Sequence, residues 1–261
     1  MSSFTPKSMR ELILRESKRA HVGHIGSALS VVEILTALFR DVMSMENGVL
    51  VDRFILSKGQ AALALYCALY LRGIIPEEDL STYCTNGSLL GSHPSHELNG
   101  VEFSTGSLGQ GLSYSCGLAL AGRLSRENYQ TYVLLSDGEL EEGSVWESAM
   151  FAGHHKLSNL CAVVDMNGQQ AFGMTKDILD QRNMDRLWED MGWETQTVDG
   201  HDVGELTAAI TGQRSEKPRA VLASTIAGKG VDFMERAVKW HYWPMSDDEY
   251  SSAMKQVGAS A

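Results

Sequence analysis

The sequence predicts a three-layer α/β fold, a mainly parallel central sheet with helices on both faces. Residues 131–135 and 160–164 are short, apolar, β-prone runs of the kind that form strands buried on both faces. Residues 141–157, between them, have a helical composition and enough length to cross back between parallel neighbours. Each run ends in a polar turn, Ser136-Asp137-Gly138-Glu139 after the first and Asp165-Met166-Asn167-Gly168 after the second. In such a unit both turns emerge at the carboxyl edge of the sheet, where open α/β folds bind their ligands.

The remaining elements follow in order. Residues 6–20 form an amphipathic helix with Met9, Leu12, Ile13 and Ala20 on one side. Residues 22–27 are a glycine-punctuated turn that places His24 between two glycines, an unusual setting for a core side chain. Ser30 and Glu33 have capping-box spacing, which predicts a helix start there, continued by Val31, Ile34, Leu35, Leu38 and Val42. A short strand is expected over 53–57, an exit turn at Lys58-Gly59-Gln60, and an apolar helix over 61–72 ended by Gly73. Residues 76–83 suggest a short acidic helix, and 86–110 are mostly loop, long enough to imply function.

The helix expected over 109–126 is rich in Gly, Ala and Ser, which permits close packing against a second subunit or within the chain. Further on, residues 185–191 read as helix and 194–198 as strand. Asp202 caps a helix over 203–213, and 219–226 form a last strand. The small, polar tail from about residue 256 is expected to fray. One domain over residues 1–261 is the preferred organisation.

The formal net charge of -11 argues against nucleic acid and anionic membranes as partners, because both favour a basic face. It does not exclude phosphorylated ligands, since one metal ion reverses the local field. No run approaches the roughly 18–20 apolar residues of a membrane span, and residues 1–7 lack a signal-peptide apolar region, so a soluble cytoplasmic protein is expected. The four cysteines, Cys67, Cys84, Cys116 and Cys161, lack metal-ligand spacing and read as free, mostly buried thiols.

The chemistry is expected at the two turns. Asp137 offers a carboxylate, Asn167 an amide oxygen, and Gly138 lets a bulky anion approach the backbone. Mg2+ favours oxygen ligands and completes its shell with phosphate oxygens and water, so the pair predicts a metal-bridged diphosphate. An Asp-Gly alone often only makes a turn. Here the count from residue 139 to 166 puts 28 residues between Gly138 and Asn167. That spacing resembles the thiamine diphosphate motif, Gly-Asp-Gly followed at about this distance by Asn, with Ser136 in place of the first Gly.

Several separated stretches resemble the diphosphate-binding half of transketolase, particularly the short subunit of split transketolases. They are Gly-His-Ile-Gly around His24, residues 52–59, the Ser-Thr-Gly-Ser-Leu-Gly-Gln-Gly loop of 104–111, the Asp137–Asn167 pair, Asp199-Gly200-His201-Asp202 and Trp240-His241, in family order across nearly the whole chain. The resemblance implies the thiamine diphosphate-binding version of the three-layer fold. It implies that Asp137, the Asn167 side chain and the Gln169 backbone oxygen hold Mg2+, with Gly138 against the diphosphate. Gly106 and Leu108 would meet the aminopyrimidine end, Gln60 would lie near the cofactor, and His241 near the diphosphate. His24 and His93 would face the reacting carbon and the sugar; for His93 a loop-stabilising role is the alternative. Glu142 matches a glutamate that communicates with a partner carboxylate at the dimer interface, with Glu147 a weaker candidate. His96 and His201 would support loops, and His154 and His155 would occupy a solvated helix face.

Some positions depart from the family pattern. Gln60 replaces a histidine and cannot titrate, Ala227 replaces a lysine, and Met166 replaces an acidic or amide residue. The implied activity is transfer of a two-carbon ketol unit from a ketose, or ketose phosphate, to an aldehyde acceptor. The family's pyrimidine domain, with its activating glutamate, lies outside this sequence. A separately encoded pyrimidine-domain partner is therefore expected, together with an α2β2 heterotetramer. Alternatives are the α subunit of a 2-oxo acid dehydrogenase, a specialised thiamine diphosphate enzyme delivering its unit to a carrier-protein thiol or an unusual sugar, and a non-catalytic scaffolding subunit.

Overall fold

The computed structural model describes residues 3–213 and 215–259. Helix α1 (Pro6–Ala20) opens with a capping box between Thr5 and Ser8. Helices α2 (Ile25–Ser30) and α3 (Val32–Thr36) follow, and the chain widens into a π-helical turn over Ala37–Val42. Strands β1 (Met45–Glu46) and β2 (Val49–Leu50) make a small hairpin, and β3 (Arg53–Leu56) enters the main sheet. Then come α4 (Ala62–Leu71), α5 (Glu77–Leu80), the long loop, α6 (Gly111–Ser125), β4 (Thr131–Ser136), α7 (Gly143–His154) and β5 (Leu160–Met166). A second hairpin, β6 (Gln169–Gln170) and β7 (Gly173–Met174), leads into α8 (Thr175–Ile178) and α9 (Met184–Asp190). Strand β8 (Glu194–Asp199), α10 (Val203–Thr211), β9 (Arg219–Ser224), α11 (Lys239–Tyr242) and α12 (Asp247–Ala259) complete the chain.

The five main strands lie in the order β3-β4-β5-β9-β8, all parallel. Successive strand residues point to opposite faces, and both faces are apolar. Phe54, Leu56, Tyr132, Leu134, Cys161, Val163 and Val221 join one core, which α1–α4 and α10 cover. Ile55, Val133, Leu135, Ala162, Val164, Ala220 and Leu222 join a second core under α6, α7 and α9. The expected layering is present. The register pairs Leu56 with Leu134 and Ser136 with Asp165, so the exit turns of β3, β4 and β5 gather at one edge.

The structure differs from the sequence pattern in these places. The helix after the His24 turn starts at Ile25, and Ser30 is its last residue rather than a cap. The Ser30 hydroxyl bonds the Ser27 carbonyl and the Asp165 carboxylate, while Glu33 turns inward to Arg10 and His201. Helix α12 runs to Ala259, and Val257, within the tail expected from about 256, is buried; residues 260–261 lie outside the described residues. The two hairpins add strands that the sequence does not signal, since two-residue strands carry no periodicity to detect. Among the described residues no helix is long and apolar enough to cross a membrane.

Glycine marks close approaches in the scaffold. A Cβ on Gly153 of α7 would lie 1.8 Å from the Met191 carbonyl oxygen, whereas one on Gly117 of α6 meets nothing within 4 Å. Helix propensity alone favours alanine at both positions by up to ~1 kcal/mol. We expect Gly153→Ala to destabilise by about 1–3 kcal/mol through overpacking and Gly117→Ala to be neutral or stabilising, as read by thermal unfolding of the two variants.

Candidate active site

A cleft of about 270 Å3 opens at the carboxyl edge of the sheet, where the exit turns meet α2 and α11. It is lined by His24, Gln60, His93, Gly106, Leu108, Asp137, Gly138, Asn167, Gln169 and His241, together with Lys58 and the hairpin residues Gln170 to Phe172. Ten residues predicted for the site, from His24 to His241, therefore share one wall. Glu142 stands apart, exposed at the N-terminus of α7 and outside the cleft lining, with its side chain packed over Gly109.

His24 caps α2 in the left-handed conformation, φ 61°. A non-glycine residue seldom adopts that conformation. It is held by the bond from His24 N–H to the His241 carbonyl at 3.2 Å, and a Cβ on Gly23 would lie 2.3 Å from the Tyr242 carbonyl oxygen. The His24 ring meets those of His241 and His93 edge-on, at 5.3 Å and 6.1 Å between centroids. Tyr66 donates its hydroxyl to the His93 carbonyl at 3.1 Å, and the His93 ring packs over Gly106, where a Cβ would approach within 3.3 Å. Burial lowers the pKa of all three imidazoles. His93 adds to the effect on His24, and His24 and Lys58 bring His241 down to about 4. The cluster is neutral at pH 7, able to donate and accept hydrogen bonds.

Asp137 closes β4, and its Oδ2 accepts from Gly168 N–H and the Thr175 hydroxyl, both at 2.8 Å. Gln181 donates to the Asp137 carbonyl at 2.7 Å. Burial, with Asp165 nearby, pushes the Asp137 carboxyl up to about 6, the mark of a negative charge short of a counter-ion. Asn167 Oδ1 accepts from Gln169 N–H at 2.9 Å, and Asn167 Nδ2 donates to Asp165 at 3.0 Å. Ser136 fits where glycine was expected: it is buried, and its hydroxyl accepts from Glu139 N–H.

Lys58, Asp165 and Glu139, none of them proposed from the sequence, complete the site. Lys58 and Asp165 form an ion pair with 1% and 0% of their side chains exposed. Burial alone would raise the Asp165 carboxyl, but the Lys58 charge and its hydrogen bonds hold it low. Glu139, fully buried, accepts from the Ser57 hydroxyl and from Gly109 N–H at 2.7 Å, tying the glycine-rich loop to two exit turns. The available signal was position, a charged residue directly after an apolar strand run. His201 supports its loop as expected, accepting from Ile226 N–H at 2.9 Å and bonding Glu33 at 3.0 Å.

The donor set fits a hard divalent cation and a diphosphate. Three buried carboxylates, Asp137, Glu139 and Asp165, face the single ammonium of Lys58. Asp137, the Asn167 amide and the backbone carbonyls of the exit turns are oxygen donors of the kind a hard divalent cation takes. Buried polar atoms without protein partners, His24 Nδ1 and Gln169 Oε1, belong to residues of the same wall.

A parallel sheet carrying a carboxylate-amide pair and a histidine cluster at one edge is the architecture of a thiamine diphosphate-binding domain. The family model described as "Transketolase, thiamine diphosphate binding domain" matches residues 3–261, and the chain belongs to this family of transferases. It is 37% identical over 245 residues to one of the subunits of the apulose-4-phosphate transketolase of Phocaeicola vulgatus, covering 92% of this chain and 87% of that one. It is 36% identical over 256 residues to the 6-deoxy-6-sulfo-D-fructose transketolase subunit SqwG of Clostridium sp., covering 95% and 93%. The crystal structure of transketolase from Campylobacter jejuni superposes with a TM-score of 0.90 at 30% identity, covering 97% of this chain and 42% of that one. The chain thus spans less than half of that solved relative.

His241 titrates near 4 when folded, against about 6.5 when unfolded. Between these values the unfolded chain binds more protons, so the stability present above pH 6.5 is lost as pH falls toward 4. After allowing for the solvent that still reaches the ring, the effect is roughly 1–2 kcal/mol. Proton NMR should find the His241 ring neutral at pH 6, and His241→Gln should flatten the acid limb of the stability curve.

Proposed function

We propose that this chain is the diphosphate- and Mg2+-binding subunit of a two-component transketolase-like enzyme, which transfers a two-carbon ketol unit from a ketose or ketose phosphate to an aldehyde. The observation that carries this reading is the convergence of the Asp137, Asn167 and Gln169 turns with the His24, His93 and His241 cluster in one cleft. Asp137, the Asn167 side chain and the Gln169 backbone oxygen would hold Mg2+, with Gly138 against the diphosphate. When bound, thiamine diphosphate supplies the electron sink for breaking and making a carbon–carbon bond beside a carbonyl.

The chain's own residues orient and exchange protons. Neutral His24 and His93 donate hydrogen bonds to sugar hydroxyl and carbonyl oxygens; each can take up a proton there only as a transient imidazolium, which burial disfavours and which drives the proton's return. His241 stays neutral beside Lys58, leaving a donor for a phosphate oxygen. Gln60 binds by hydrogen bonding alone, which favours a sugar whose recognition there needs no charge. The relatives named for apulose 4-phosphate and sulfofructose support an unusual sugar as substrate.

Relatives of nearly this length are named as subunits, which supports a separate pyrimidine-domain partner. The outer face of α6 and α7 supports an α2β2 assembly. Met150 and Phe151 are exposed there, Phe151 and Glu147 beside the open surface at Gly117, with Glu142 at the N-terminus of α7. All four cysteines are unpaired, with burial pushing the Cys116 and Cys161 thiols up to about 12, which suits a reducing, cytoplasmic setting.

The decisive experiment is to assay ketol transfer by this chain alone and co-purified with its pyrimidine-domain partner, over a panel of ketose donors and aldehyde acceptors. Turnover is expected only from the complex. Asp137→Ala should abolish it and weaken thiamine diphosphate binding at least about tenfold in calorimetry. Robust activity of the isolated chain, or binding indifferent to Asp137→Ala, would sink the proposal. For the assembly, Phe151→Asp should leave a one-to-one pair in analytical ultracentrifugation where the unaltered complex sediments as two pairs.

A further inference from the structure

Asp165 lies beside the cleft with no solvent contact. Its Oδ2 accepts from the Lys58 ammonium, the Ser30 hydroxyl at 2.7 Å and Asn167 Nδ2 at 3.0 Å, and its Oδ1 accepts from the Thr225 hydroxyl. These donors come from the end of α2, the exit of β3, the exit of β5 and the exit of β9, so the carboxylate ties together four stretches of chain.

A carboxamide is two-faced, with an oxygen that accepts and a nitrogen that donates, whereas an ionised carboxylate only accepts. Asn167 must therefore turn its nitrogen toward Asp165, which leaves Oδ1 on the opposite side, where Gln169 N–H meets it at 2.9 Å. We infer that Asp165, held by Lys58, is the positioning residue that sets the Asn167 amide, so that the cleft offers a divalent cation a carbonyl oxygen rather than an NH2 group. Lys58 has a second effect. Because it is committed to Asp165, Asp137 is the carboxylate of the cleft lining whose charge remains for the metal. The inference rests on reading the cleft as a metal–diphosphate site.

The test uses the chain co-purified with its pyrimidine-domain partner, with Mn2+ as the probe in the presence of thiamine diphosphate. Bound metal is followed by calorimetry and by the electron paramagnetic resonance of free Mn2+. Asp165→Asn should weaken Mn2+ binding by about tenfold or more, because a carboxamide there no longer dictates the Asn167 orientation and Lys58 is left unpaired beside the cation. Lys58→Met combined with Asp165→Asn removes the buried pair together, and its melting temperature should return toward the unaltered value. Its Mn2+ affinity should nevertheless stay several-fold low. If Asp165→Asn binds within twofold of the unaltered protein, or if the double variant regains affinity along with stability, Asp165 is only a structural residue and the inference is overturned. Absence of saturable Mn2+ binding in the unaltered complex would remove the metal-site reading itself, and this inference with it.

Discussion

The ion pair between Lys58 and Asp165 is the constraint around which the functional edge of the sheet is built. Lys58 leaves β3 and Asp165 lies near the end of β5, so the pair reaches across the end of β4, the strand that carries Asp137. Taking two charges out of water costs several kcal/mol each, which attraction offsets only with good geometry and further hydrogen bonds. Ser30, Thr225 and Asn167 provide those bonds. Removing either charge leaves its partner uncompensated in a closed site, and losing one of the neutral donors leaves an unmet hydrogen bond there, so the exit turns behave as one unit.

The histidine cluster obeys the opposite electrostatic rule. Three imidazoles crowded at one wall, partly out of solvent and close to Lys58, cannot all be charged, and each is held neutral. Asp137 lines the same wall, and the buried carboxyls of Glu139 and Asp165 lie behind it. Buried anions seeking a cation thus sit beside neutral donors, an arrangement that suits a metal-bound diphosphate at one end and an uncharged sugar carbon chain at the other.

Much of this was legible in the sequence because it depends on local pattern. The strand runs at 131–135 and 160–164, the turns after them and the apolar helix after Gln60 all declare themselves through periodicity and turn chemistry. Ser30 and Glu33 show where that reasoning fails. Their spacing mimics a capping box, but both side chains are taken by distant partners, Asp165 and the Arg10–His201 pair. Local propensity is a weak prior when a buried charge competes for the same group. The end of α12 continues the helix through residues whose composition reads as loose, with Val257 buried.

By itself the sequence determined the layered fold, the pairing of Asp137 with Asn167 and the family to which the chain belongs, because strand period, turn residues and ordered motifs are properties of neighbours along the chain. Only the tertiary structure decided that Lys58 pairs with Asp165, that Glu139 is buried while Glu142 faces solvent, and that His24 sits edge-on to His241. Each is a contact between residues tens to hundreds of positions apart, set by parallel register and burial. The energy of a charge depends on what surrounds it, which spacing along the chain does not encode.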